Sequence, residues 1–341
     1  MNILENWGVR KIQDYYYKRD DSPKYGSIKD LFNSKIIWYS SILAFFIGFV
    51  LTLPIIFLEL KWQIFSFENI NLINIFIYAI TLTFLIFLEF YFLFLLSFYI
   101  LAYYFYNLTH INNQKNSMSE EAFLAMMSRT TMELSEGYEE NFNIEHKELS
   151  NKKIAIFTLM YKIKVVATNF VLKFIAKKVL TRTSFRLYTP YVAALGTGVW
   201  DAVVFYKVIK HAQYKIMVRY AILYLLEHKM MLLSKEENIK AILSRYYYYG
   251  EYNNNFAFLL HSIYGHTPFD YNKESFLKQD VYEQCNASLL LLLFAYKEKI
   301  HTKIEKEIIK SINQKTALHT LRKAFKSGDY EYIKHYIDEI K

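Results

Sequence analysis

Few side chains in this sequence combine a reactive group with a spacing that could use it. Glu298-x-x-His301 has the i, i+3 spacing that puts two metal ligands on one helix face. Di-iron bundle sites need a second such pair, and the sequence holds none, so no metal site is expected. His261 and His266 have no acidic or cysteine companion at ligand spacing and read as ordinary surface or core residues. A phosphate-binding glycine loop, a nucleophile elbow and an HExxH motif are all absent. The expectation is a non-enzyme with no catalytic, cofactor-binding or metal-binding residues. A lipid-acting enzyme would need a nucleophile–base pair that the sequence does not offer.

Two acids in apolar surroundings remain. Glu89 lies between LIFL and FYFLFLL. At membrane depth such a group must face protein or water and find a partner. It is either a proton- or ion-handling carboxylate or a neutral Glu bonded to a neighbouring helix. That helix would belong to the same chain or to a second copy in a homo-oligomer. A place near the inner interface is a further alternative. The first apolar run carries no charge deep within it, which favours the neutral group. Asp201 sits within GTGVWDAVVF, and Arg182, Arg186, Lys207 or Arg219 are the cations available to neutralise it. Asp201 and Arg219 are expected as buried charges.

The elements that must position these groups are two hydrophobic runs, 36–60 and 73–106. A membrane-spanning helix needs about 20 mostly apolar residues to cross roughly 30 Å of hydrocarbon. The first run has that length, with no charge before Glu59 and with Trp38, Tyr39 and Trp62 near its ends. Pro54 is tolerable inside a lipid-embedded helix. The second run is long enough that it must tilt, kink or project beyond the bilayer. Tyr99, Tyr103, Tyr104 and Tyr106 mark an interfacial belt or the start of a continuation outside the membrane. Both runs are too long, and the first begins too late, for a signal peptide.

Lys and Arg in short flanks set orientation. The arm before the first run holds Arg10, Lys11, Lys18, Arg19, Lys24, Lys29 and Lys35, whereas the connecting loop holds only Lys61. Both termini are therefore expected in the cytoplasm. The composition is 53% hydrophobic and 18% aromatic, which suits a membrane protein with a helical domain attached. Abundant Tyr, Phe, Ile, Lys and Asn match AT-rich bacterial coding, which points to the bacterial inner membrane. The single cysteine, Cys285, excludes an internal disulfide and reads as a buried thiol. The net charge of +9 concentrates beside apolar segments. That distribution favours an anionic membrane surface over nucleic acid as partner.

The rest of the chain divides by charge. Residues 1–35 form a basic arm with one short helix, and 107–116 a polar linker; Ser117-x-x-Glu120 then reads as a capping box. From Glu120 to Glu148 there are eight Glu against Arg129 and Lys147, which reads as a solvated face. From Leu149 to Trp200 there is no acid and there are nine basic residues. Among these Lys162, Lys173 and Lys177 share one helical face with Asn169, although Lys164 does not, and with Lys178 they are the residues of a basic helix of the kind that lies on a membrane surface. The same face could equally meet the acidic segment. Ala194, Gly198 and Ala202 recur every four residues and leave one helix face nearly bare for close packing. A third insertion over 187–206 is conceivable, but Asp201 would cost up to about 2.5–3.5 kcal/mol there, which favours a shallow or protein-buried placement.

Pro190, Gly196, Gly198 and Asp201, followed by an aromatic-rich helix leading to Arg219, resemble the glycine-containing helical segment of EcsC-like proteins over about residues 150–230. Asp201 stands where that pattern has Asn. The resemblance implies a helical, membrane-associated bacterial protein and brings no catalytic residues.

The C-terminal third patterns as helices near 211–232, 235–249, 254–264, 274–300, 303–326 and 329–340, broken at Gly250, the 265–268 loop and Gly328. Ser234-x-x-Glu237 and Thr302-x-x-Glu305 read as capping boxes. The LLLLLF run at 289–294 is apolar all round and should be the centre of that bundle. The expected fold is all-α, a two-helix transmembrane hairpin (36–107) followed by a cytosolic, membrane-apposed helical bundle. Its parts are the arm at 1–35, an acidic-then-basic region at 108–232 and a C-terminal bundle at 233–341. The leading function is a membrane anchor for a helical interaction domain that binds anionic lipid and a protein partner. The alternative is a subunit of an ion- or proton-conducting assembly using Glu89.

Overall fold

The computed structural model describes residues 3–19, 24–62, 72–112, 121–132, 189–235, 238–239, 242–243, 254–264, 285–297, 306–307, 309–310 and 315–340. Every regular element among them is helical. The chain runs through α1 (Ile3–Tyr17), α2 (Ile28–Phe32), α3 (Ile36–Trp62) and α4 (Leu72–Asn112). It continues as α5 (Glu121–Thr131) and α6 (Thr189–Lys235), then α7 (Asn254–Tyr264), α8 (Ala287–Tyr296), α9 (Lys315–Ser327) and α10 (Tyr330–Asp338).

Two of these helices, α3 and α4, are long and apolar enough to cross a membrane. Both carry large apolar side chains on exposed faces, Phe46, Val50 and Phe57 on α3 and Phe76, Phe84 and Phe87 on α4. Their hydroxyls turn inward onto their own backbone. Ser40, Ser41, Thr52, Thr83 and Ser97 each donate to the carbonyl four residues earlier. That leaves these groups satisfied without water, as a bilayer would require.

The last third of α4 has a different environment. From Phe98 to Thr109 it is mostly buried, and Asn107, Leu108 and Thr109 are in the core. The expected linker at 107–116 is therefore helix as far as Asn112, and no break falls at 107. Asn107 and Thr109 hydrogen-bond back to Tyr103 and Phe105 carbonyls, which lets polar side chains sit in the core. Tyr103 and Tyr104 are buried with this segment, so they belong to a continuation rather than to an exposed belt; Tyr99 stays exposed.

The arm is also part of the packed structure. The fifteen-residue α1 lies against α4 and α5. Trp7 stacks on Tyr91 and meets the edge of Phe98. Arg19 lies over the rings of Tyr99 and Tyr103, 4.6 and 4.7 Å from their centroids. In the acidic segment, residues 123–132 are buried, and the side chains of its eight Glu lie outside the described residues. Arg129 forms a buried ion pair with Glu5 of α1. Burying one member of such a pair alone would cost several kcal/mol, so the pair fixes how α1 meets α5.

The rest of the core gathers on the second half of α6. Every residue from 212 to 222 is buried. Lys215 donates to Thr130 at 3.0 Å, and Asn255 of α7 donates to the Lys215 carbonyl at 2.9 Å. Leu289 to Tyr296 of α8 are buried on all sides, as the apolar run predicts. Asn286 caps α8 through the Ser288 and Leu289 amides, and Arg322 of α9 donates to the Phe294 and Lys297 carbonyls at its other end. Gly328 makes the α9–α10 turn with φ 72°, in the left-handed region. The expected helix start at Ser234 is not one. α6 passes through 232 to Lys235, with its irregular dihedrals at Lys229, and the Ser234 hydroxyl donates to Met231. The boxes at 117–120 and 302–305 and the breaks at 250 and 265–268 lie outside the described residues.

Candidate functional site

The small-residue face of α6 finds its partner in α3, and this is the most extensive helix pairing among the described residues. Ala194, Thr197, Gly198 and Asp201 are buried on that side, and Ala202 is half-buried. A Cβ placed on Gly198 would lie 2.7 Å from the Phe45 carbonyl oxygen and 2.9 Å from its ring. A Cβ on Gly48 of α3 would collide with Asp201 Oδ2 and come within 3.4 Å of the Gly198 Cα. Two glycines face each other at this crossing, and their bare backbones let the helices approach. Gly48 is the single glycine of the run 36–60, a signal that the sequence reading left unused.

That approach carries Asp201 to Glu89. The two carboxyl groups are neighbours, with Asp201 93% buried and Glu89 half-buried. Asp201 Oδ2, set against Gly48, has no hydrogen-bond partner. A hydrogen bond between two carboxyl groups requires at least one proton, because an ionised carboxylate can only accept. A direct bond between the two would join a carboxyl group to its conjugate, or two acids.

Of the cations expected to neutralise Asp201, the two described ones, Lys207 and Arg219, lie elsewhere. Arg219 lies about five turns further along the same helix. It is buried with its guanidinium 3.4 Å from the centroid of Phe258 and 5.2 Å from that of Phe123. Lys207 is exposed. Arg182 and Arg186 lie outside the described residues, as do Lys162, Lys173, Lys177, Lys178, Glu298, His301 and His266. Asp201 and Arg219 are both buried charges, but in separate places and with different neighbours. Glu89 has an acid opposite it, supplied by α6 rather than by the first apolar run.

Elsewhere, Cys285 is a buried thiol outside any disulfide. No group of three His, Cys, Asp or Glu able to hold a metal occurs among the described residues. No family model matches the chain, and no curated protein or solved structure matches it either, so the EcsC-like pattern at 150–230 stands on the sequence alone.

Proposed function

We propose that the chain is an integral protein of the bacterial cytoplasmic membrane. Its α3 and α4 cross the bilayer as a hairpin and hold a helical interaction domain at the cytoplasmic surface. The carrying observation is the change of environment along α4. Its first part exposes Phe76, Phe84 and Phe87, and its last part is core. Soluble monomers rarely expose so much contiguous apolar surface. Acyl chains are the solvent that such a face suits. The arm's basic residues keep both termini on the cytoplasmic side. The basic run, with Lys162, Lys173, Lys177 and Lys178, supplies attraction to anionic headgroups. A protein partner on the helical domain completes this non-enzymatic reading, and the EcsC-like pattern agrees with it.

Membranes containing the full-length protein, washed with alkaline carbonate and high salt, should retain it in the pellet. Release into the supernatant would contradict the reading.

One observation favours a second reading, a subunit of a proton- or ion-conducting assembly. The Glu89–Asp201 contact places two carboxyl groups between three helices, as a proton relay needs. Homo-oligomers would supply an axis for a pore. A Glu89→Gln protein that assembles normally and loses function supports this reading; full function in that variant supports the anchor.

A further inference from the structure

The first half of α6 shows a pattern of exposure unlike the rest of that helix. Tyr191, Leu195, Val199, Trp200, Val203 and Tyr206 are all 41–54% exposed, at spacings of one to four residues. They form one outward apolar face opposite the small face that packs on α3. Beyond Lys207 no large apolar side chain of α6 is exposed until Met230. Tyrosines end the face at both limits, as at the two interfaces of a membrane span.

The direction of α6 follows from its contacts. Lys210 and Gln213 donate to the Phe32 carbonyl, just before α3 begins. Gly198 and Asp201 meet Phe45 and Gly48, midway along α3. Helix α6 is therefore antiparallel to α3. Thr189 lies nine residues before Gly198, about 13 Å further along at 1.5 Å per residue. It stands level with residues 54–57, in the last third of α3. The exposed face over 191–206 spans about 24 Å on the same rise, close to the hydrocarbon thickness of roughly 30 Å.

We propose that residues 191–206 of α6 are a third membrane-embedded helix, with the outward face Tyr191–Leu195–Val199–Val203–Tyr206 in contact with lipid acyl chains. This rests on the reading of α3 and α4 as spans and goes beyond it. Because α6 packs along α3, which exposes Phe46 and Val50 to the same surroundings, the occupant is lipid. The cost of Asp201 is met inside the protein, because the small face and Gly48 bring it to Glu89 and away from acyl chains. The Gly48–Gly198 crossing is then the seam of a three-helix membrane unit, and α6 leads from that unit into the buried core of the bundle.

Spin labels read this directly. Single cysteines replace Val199, Val50, Phe84 and Tyr332 in a Cys285→Ala protein reconstituted into phosphatidylcholine/phosphatidylglycerol vesicles. Oxygen and a water-soluble nickel chelate then compete as relaxants. Labels at Val50, Phe84 and Val199 should all be relaxed mainly by oxygen. Tyr332 should be relaxed mainly by nickel. Val50 and Phe84 in lipid with Val199 in water would overturn the third helix and leave the hairpin standing. Nickel-dominated relaxation at Val50 and Phe84 would remove the membrane reading and this inference with it.

Discussion

Helix α6 has two halves with different surroundings. Its second half is buried on every side over 212–222, surrounded by α5, α7, α9 and α10. Its first half is buried on one side only, where Gly198 and Asp201 meet α3, and exposes Val199 and Val203 on the other. The two halves achieve packing differently. In the bundle, large side chains remove apolar area from water, and area buried is what stabilises. Along α3 the side chains are deleted at the contact and backbones touch, which is how helices associate when the surroundings are already apolar. Polar groups differ likewise. The bundle buries Glu5 with Arg129, opposite charges in contact. The α3–α4–α6 seam sets Asp201 beside Glu89, two acids together.

The sharpest way to break this comparison is to remove volume from the bundle. Leu291→Ala should cost about 2–5 kcal/mol, because Leu291 is fully buried and a cavity would remain. Denaturant unfolding of detergent-solubilised protein would read it, and a near-neutral result would mean that α8 is not core. Adding volume at the seam comes next. Gly198→Leu should cost about 1–3 kcal/mol in thermal unfolding, since a Cβ alone already crowds Phe45. Wild-type stability in that variant would show that the two glycines do not touch.

Glu89→Gln should cost about 1 kcal/mol or less, on the scale of single side-chain bonds in membranes. The amide still offers Asp201 a donor, so the same unfolding assay should barely move. A loss of several kcal/mol would mean that a carboxyl proton at this seam is essential to packing. The smallest effect is confined to alkaline solution. Burial pushes the Tyr336 phenol up to about 12, and its hydroxyl donates to the Ser288 carbonyl. Its folded value lies above its unfolded one, so its contribution is complete below about pH 10. That contribution fades as pH rises through about 12. Tyr336→Phe should show a shallower loss of stability between pH 9 and 12 than wild type. Parallel curves would place the alkaline sensitivity elsewhere.

The parts legible in the sequence are those written in a single helix. The apolar runs of α3 and α4, the all-round apolar α8, the small face of α6, helix 254–264 and the break at Gly328 are each a local pattern. The illegible parts depend on which helix meets which. The arm's Trp7 and Glu5 read as polar-segment residues until α4 and α5 are beside them. Arg129 among eight Glu reads as surface until Glu5 of α1 reaches it. Asp201 invites a basic partner by charge alone, yet its register on α3 delivers it to another acid. The pairing turns on Gly48 and Gly198, two missing side chains in separate segments. Linear periodicity holds no record of which glycine faces which.

The central claim is that the chain crosses a membrane between its arm and its bundle. Impermeant maleimide labelling of single cysteines in intact expressing cells tests it, with Lys61→Cys and Lys326→Cys each in a Cys285→Ala background. Both native positions are exposed, so labelling reports the side of the membrane and not burial. The account predicts that Lys61→Cys is labelled at once and Lys326→Cys only after the cells are permeabilised. Both positions labelled at once, or both only after permeabilisation, would contradict it.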